Sequence, residues 1–440
     1  MSDESRCGLS TPTSCFSTCP SIETGSEDQL PPALVTEELQ LALNKEATES
    51  ELKKAVERCK ELVLNCEQCS VERRWLVRHL IELRLRLQEC REALVDPNHP
   101  RNKSSGVSRR VIRGHHLNLQ PLLRSSQSKY CDHCTGIIWS VVQAWYECED
   151  CGFSCHHKCL SSIVRDCAHI IASERGGYEL RICPETGMSA QKYLCAECKT
   201  PLAVTVPKGL SYLVKLILPG MGMDIRRCDY NGMYYCSACH WGSLAVTPAR
   251  VVHNWDMTPH PVCQASLQQL KVTLNRPYID LEKENPKLFT LVHELNLVKR
   301  CRQELHGMRK YLLICRIAKE DHLLWKCVEI PHLIETVNLY SLQDLVNTES
   351  GELITKLHNL YQIFSNHIKK DCQICKGRGH ICEICSNTEE LFPFDAIAVL
   401  CPDCGAVYHK NCFSRKNNVC LKCIRIKERL KKAEISNDDD

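Results

Sequence analysis

The sequence predicts an α fold carrying small zinc-stabilised β modules. A helical hairpin comes first, then a compact finger, then a helical domain flanked by two cysteine-rich zinc lobes. Two observations lead there. Of 440 residues, 33 are Cys, most of them in Cys-x-x-Cys pairs with His at ligand spacing. Elsewhere, apolar residues recur at the three-to-four spacing of helices. Two residues between paired Cys let both thiolates of one tight turn reach a single tetrahedral Zn²⁺.

Composition narrows the class. The chain opens on Met1-Ser-Asp-Glu with no apolar core behind it, so a reduced, cytosolic zinc protein is expected in place of a disulfide scaffold. The longest apolar run, Leu210 to Met223, is interrupted by Lys215, Pro219 and two Gly and is too short to span a bilayer. A net charge of +3 gives no reason to expect nucleic acid, and any basic surface must be local.

Residues 1–34 are rich in Ser, Thr, Pro and Glu, with Cys7, Cys15 and Cys19 scattered, and read as a disordered leader. Residues 35–95 read as an antiparallel helical hairpin, broken near Asn65 and resuming near Ser70. Residues 96–114 read as a basic linker, with Arg101, Lys103, Arg109, Arg110 and Arg113, able to touch anionic lipid or simply to stay solvated.

The finger, residues 115–167, offers His115 or His116, then Cys131-x2-Cys134-x13-Cys148-x2-Cys151-x4-His156-x2-Cys159-x7-Cys167. Eight ligands make two closed tetrahedral sites. This spacing resembles the diacylglycerol/phorbol-ester (C1-type) finger. The resemblance implies interleaved sites, His115, Cys148, Cys151 and Cys167 on one zinc, Cys131, Cys134, His156 and Cys159 on the other. It also favours His115 over His116, because Leu117 and Leu119 then fall where such fingers place apolar residues. Cys155 is off the pattern. Lipid-responsive members carry a Pro before the second ligand and a Gln-Gly pair; here Ser128 and Gln143-Ala144 stand instead. An atypical structural or protein-binding use is therefore expected, beside a diacylglycerol-responsive alternative.

The first zinc lobe, residues 170–265, has an internal echo. Cys183-Pro-Glu-Thr-Gly leads to Cys195-x-x-Cys198, and Cys228-Asp-Tyr-Asn-Gly leads to Cys236-x-x-Cys239. Six Cys plus His240 or His253 are candidates for two sites. The insert Pro207–Ile225 reads as a surface loop, and Pro248–Asp256 as packing beneath the knuckles. Residues 266–370 return to helical periodicity, with a candidate N-cap at Ser341 and with Cys301, Cys315 and Cys327 as core thiols.

The last lobe, residues 371–425, holds Cys372-x2-Cys375, Cys382-x2-Cys385-x15-Cys401-x2-Cys404-x4-His409-x2-Cys412-x7-Cys420 and Cys423. It nearly repeats the first finger. Three partitions stay open: a second C1-like finger begun by His367, the same finger with Cys423 in that place, or a cross-brace of the PHD or RING kind over the same eight residues. Cys372 and Cys375 then need a further site, closed by His380 or a distant ligand. Residues 426–440 form a charged tail.

The order of finger, Cys183-Pro-Glu-Thr-Gly, Cys228-Asp-Tyr-Asn-Gly, Ala249-Arg-Val-Val-His-Asn-Trp-Asp256, Phe392-Pro-Phe-Asp395 and terminal Cys/His array resembles the "differentially expressed in FDCP eight" family. Tyr178 to Cys423 resembles the Rubicon-homology domain, shared with Rubicon and the lysosomal pleckstrin-homology/RUN adaptor. That resemblance implies a non-enzymatic adaptor, cytoplasmic and peripheral on late endosomes and lysosomes. Its implied partners are a GTP-loaded late-endosomal Rab and lysosomal adaptor proteins, and its implied role is in lysosome positioning, autophagic trafficking and intracellular signal transduction. No P-loop, HExxH, GxSxG or kinase motif is present. The rival class is a ubiquitin ligase built on the terminal cross-brace.

Overall fold

The computed structural model describes residues 39, 47–67, 70–96, 99–102, 109–121, 128–140, 142–202, 225–327, 331–385 and 387–437. The leader with its three Cys, the insert from Pro207 to Asp224 and the side chain of Cys327 lie outside them. The chain divides into two compact units, residues 1–103 and 104–440.

The first unit is built on two helices, Glu49–Asn65 and Val71–Val95. Thr48 starts the first with a capping box, its hydroxyl on the Glu51 amide and the Glu51 carboxylate on the Thr48 amide. Ser70 caps the second through the Arg73 amide. The helices run antiparallel: Arg91 pairs with Glu49 at 3.0 Å, the Cys59 thiol donates to the Leu76 carbonyl, and Arg73 donates to the carbonyls of Val63 and Cys66. Leu52, Ala55, Val56 and Cys59 bury against Trp75, Leu76, Leu83 and Leu87.

In the second unit the finger is a four-stranded antiparallel sheet of order β1-β2-β5-β6, with a separate β3–β4 ribbon. Its strands are β1 Arg109–Ile112, β2 His115–Leu119, β3 Lys129–Tyr130, β4 Ile137–Ile138, β5 Trp145–Cys148 and β6 Ser154–His156. The basic linker therefore ends earlier than its composition suggests. Arg109 sits in β1 and pairs with Glu149, Arg113 pairs with Asp166 at 2.9 Å, and the Arg110 guanidinium lies 5.9 Å from the Tyr146 ring. Charge alone hid this strand: its first two residues are both Arg, and its exposed positions are Arg109 and Val111.

The helical core rests on two long helices, His293–Ile314 and Glu352–Asn366, packed on each other. Leu295, Val298, Leu305, Met308 and Leu312 form one buried stripe, and Leu353, Leu357, Leu360 and Phe364 the other. Ser341 caps the Leu342–Glu349 helix with Asp344 closing a capping box. Gly307 permits close approach, since a Cβ there would lie 3.0 Å from the Phe394 Cβ. Phe392 and Phe394 stack at 5.3 Å, both edge-on to Tyr311, with the Lys369 ammonium 5.7 and 5.6 Å from their centroids.

Arg302 is fully buried in the same helical stripe. Its guanidinium donates to the carbonyls of Leu333, His332, Thr336 and Leu339 and sits 4.1 Å from the Tyr340 ring. Those donations satisfy carbonyls at the end of the His332–Glu335 turn, which has no following helix to do so.

Candidate metal centres

In the finger, His115, Cys148, Cys151 and Cys167 converge, and so do Cys131, Cys134, His156 and Cys159. The Nδ1 atoms face sulfur: His115 lies 3.3 Å from Cys151 Sγ and His156 lies 3.4 Å from Cys134 Sγ. With Zn–S near 2.3 Å, a tetrahedral site has ligand–ligand edges of about 3.6–3.8 Å. The donor sets therefore fit zinc. Each opposite ring nitrogen meets a backbone carbonyl at 3.2 Å, His115 Nε2 that of Arg165 and His156 Nε2 that of Ile137. Such contacts fix the tautomer that presents Nδ1 to a metal. His116, on the opposite face of β2, pairs instead with Asp150 at 2.7 Å. That alternation of strand faces excludes it from the cluster. Cys155 is buried in β6 outside both sets.

In the first lobe the Cys-x-x-Cys of one echo half meets that of the other: Cys195, Cys198, Cys236 and Cys239 form one set, with Cys198 and Cys236 sulfurs 3.6 Å apart. The Cys236 amide donates to Cys195 Sγ. The leading Cys of the halves do not behave alike. The Cys228 and Cys263 thiols share Ser266 Oγ at 3.5 and 3.2 Å, whereas Cys183 is half-buried in a left-handed backbone conformation. His253 leaves the knuckles to meet the Leu180 carbonyl at 2.8 Å, and His240 Nδ1 accepts the Gly242 amide. The two halves touch where Gly232, at φ +69, leaves no room for a Cβ, which would lie 2.4 Å from Pro184 backbone atoms. The Pro248–Asn254 helix does pack below, Val251 and Val252 in the core and Arg250 bidentate on Asp229 at 2.9 and 2.7 Å.

Cys315, His367, Cys372 and Cys375 make a buried set inside the helical core. Cys315 Sγ lies 3.5 Å from His367 Nε2 and 3.6 Å from Cys372 Sγ. Cys315, expected as a core thiol, and His367, expected in the last lobe, belong together here. Cys315 ends the long helix, and its sulfur accepts the Ala318 amide. The Glu352–Asn366 helix widens into a π turn over His367–Asp371 that carries His367 and delivers the chain to Cys372. A cysteine 57 residues away leaves no spacing signal.

The last lobe resolves into Cys382, Cys385, His409 and Cys412, and a second group in which Cys401 faces Cys423 at 3.6 Å and Cys404 faces Cys420 at 3.4 Å. Alternate pairs thus serve alternate sites, a cross-brace, and Cys423 takes the place that His115 has in the finger. His380 bridges Leu391 through its backbone.

Finger and first lobe are locked together. The Arg165 side chain, 4% exposed, donates to Asp132 at 3.2 Å, Glu197 at 2.7 Å and Gln268 at 3.1 Å. Burial pushes the Asp132 and Glu197 carboxyls up while Arg165 pulls them down, and burial is the larger effect. The Ala168–Arg175 helix packs on the Gln264–Thr273 helix, and Tyr130 meets Trp241 edge-on at 6.2 Å. Sequence reading missed Arg165, which sits between ligands with no motif around it.

These features define a class: a multi-module Cys/His protein in which a C1-type finger is joined to a Rubicon-homology core. Residues 118–170 match the phorbol esters/diacylglycerol binding domain (C1 domain), and residues 226–428 match the Rubicon Homology Domain. The second match begins after Cys195 and Cys198, although these complete a set with Cys236 and Cys239. The chain is 42% identical over 411 residues to the Drosophila melanogaster protein "Differentially expressed in FDCP 8 homolog", covering 91% of this chain and 80% of that one. The Caenorhabditis elegans protein of the same name is 34% identical over 73% of this chain and 64% of its own. Pleckstrin homology domain-containing family M member 3 of Xenopus laevis is 35% identical over 56% of this chain and 31% of its own. The chain belongs to the family of the "Differentially expressed in FDCP 8 homolog" proteins.

Proposed function

We propose that this protein is a non-enzymatic, zinc-built adaptor acting on late endosomes and lysosomes, whose Rubicon-homology core binds a GTP-loaded late-endosomal Rab. Through that contact it influences lysosome positioning and endolysosomal or autophagic trafficking. The observation that carries this reading is the closure of the clusters. Each set described above already has four Cys or His ligands, whereas a catalytic zinc keeps a position open for water or substrate. The metal then organises surfaces and performs no chemistry. The Rubicon Homology Domain match and the pleckstrin-homology relatives support the endolysosomal setting. No described helix is long and apolar enough to cross a membrane.

The test is binding of the zinc-replete full chain to a late-endosomal Rab loaded with a GTP analogue or with GDP. Preference for the GTP form is expected; equal or absent binding would refute the Rab reading. The cross-brace alone supports a second reading, a ubiquitin ligase, and its ligand order counts against it, because Cys401-x-x-Cys404 stands where a RING places a Cys-x-His step. Ubiquitin discharge from a charged conjugating enzyme, accelerated by the chain, would establish it.

A further inference from the structure

The helix Leu421–Asn437 leaves the last lobe with its base fixed and residues 424–430 bare. Its 17 residues span about 26 Å at 1.5 Å per residue. Cys420 and Cys423 hold the first turn to the cluster, and Arg425 makes two hydrogen bonds of 2.8 Å to Glu383. From Ile424 to Leu430 every residue is exposed, including Ile424, Ile426 and Leu430. Ile426 and Leu430 stand four apart and form one stripe, with Arg425 and Arg429 along one border and Lys427 on the other. Six Lys or Arg face two Glu between Leu421 and Asn437. Among the described residues, Lys427 and Arg429 have no acidic partner. The arginines of β1 and its turn, by contrast, are held by Glu149, Asp166 and the Tyr146 ring.

We propose that this helix docks on an anionic bilayer, with Ile426 and Leu430 entering the headgroup boundary and Lys427 and Arg429 meeting lipid phosphates. The charge selects the occupant. A second copy of the helix would bring two basic borders together, which repel. A groove-bound helical partner needs anchors over two turns or more, and the stripe offers two large side chains among the described residues. A bilayer needs only a few apolar side chains plus basic ones, each contributing modestly near an anionic surface. The proposal does not depend on Rab binding, and its test contains no Rab.

The zinc-replete full chain is sedimented with phosphatidylcholine vesicles and with phosphatidylcholine/phosphatidylserine vesicles. Sedimentation with the anionic vesicles alone, weakening as salt is raised, is expected. The double variants Lys427→Glu/Arg429→Glu and Ile426→Ser/Leu430→Ser should each weaken it at least about tenfold, with zinc content per chain unchanged. Ile137 and Trp139 are exposed apolar residues at the end of the finger's β3–β4 ribbon, and the finger-rim variant Ile137→Ser/Trp139→Ser should bind like the parent. Full binding by either helix variant, or loss confined to the rim variant, overturns the proposal. So does a parent chain that stays in the supernatant, which leaves an acidic protein as the occupant of this face.

Discussion

The finger and the last lobe carry nearly the same ligand order and close it from opposite ends. In the finger the outlying ligand is His115, sixteen residues ahead of Cys131, so closing the site ties an upstream strand into a four-stranded sheet. In the last lobe it is Cys423, three residues past Cys420, so closing the site ties down an exit helix and leaves only the β-ribbon Ala398–Leu400 with Val407–His409. The upstream histidine of the last lobe, His367, is thereby free to complete another set with Cys315. Near-equal spacing thus fixes which pairs share a cluster but leaves open which neighbouring segment the cluster recruits.

The largest effects should come from removing one ligand in each module. Structural zinc binding is worth on the order of 10 kcal/mol, so Cys404→Ser should unfold the last lobe while the finger keeps its metal. Cys131→Ser should spread further, because Arg165 links the finger to the first lobe. Zinc content and protease protection, module by module, read this asymmetry; damage confined to the finger would remove it. Cys315→Ser comes next. It should cost one bound zinc per chain and a large fall in thermal midpoint, whereas an ordinary core thiol would leave zinc content unchanged.

Arg165→Met probes the coupling itself. Leaving Asp132 and Glu197 buried and unpaired should cost about 3–5 kcal/mol, seen as a lower denaturation midpoint with both finger metals retained in the folded state. An unchanged midpoint would mean the bridge is incidental. The smallest contrast separates adjacent histidines. His115→Ala should lose a zinc, while His116→Ala, which breaks only a part-exposed pair with Asp150, should change stability by no more than about 1 kcal/mol.

Local signals carried most of the architecture. Ser70 and Ser341 announced helix starts, and the Cys-x-x-Cys turns announced the knuckles, because both depend on neighbours within four residues, whereas the Thr48 cap lay unmarked inside a longer apolar pattern. What stayed hidden depends on distant partners. Cys315 is one thiol at a helix end until the π turn brings His367 to it. Arg302 breaks an apolar stripe, and its partners are carbonyls some thirty residues on. The echo in the first lobe marked Cys195, Cys198, Cys236 and Cys239 as candidates without saying that they share one set, and it gave no reason for Cys228 to lie against Ser266 beside Cys263.

Arg165 has two attachments of different kinds. Its main-chain carbonyl steadies the ring of His115, and its guanidinium spans to Glu197 on the neighbouring lobe and to Gln268 on the Gln264–Thr273 helix. Metal occupancy in the finger and docking of the two modules are therefore linked equilibria. By thermodynamic reciprocity, whatever factor zinc adds to docking, docking must return to the finger's affinity for zinc. A finger excised from its lobe should hold its metal less tightly than the same finger in the intact chain.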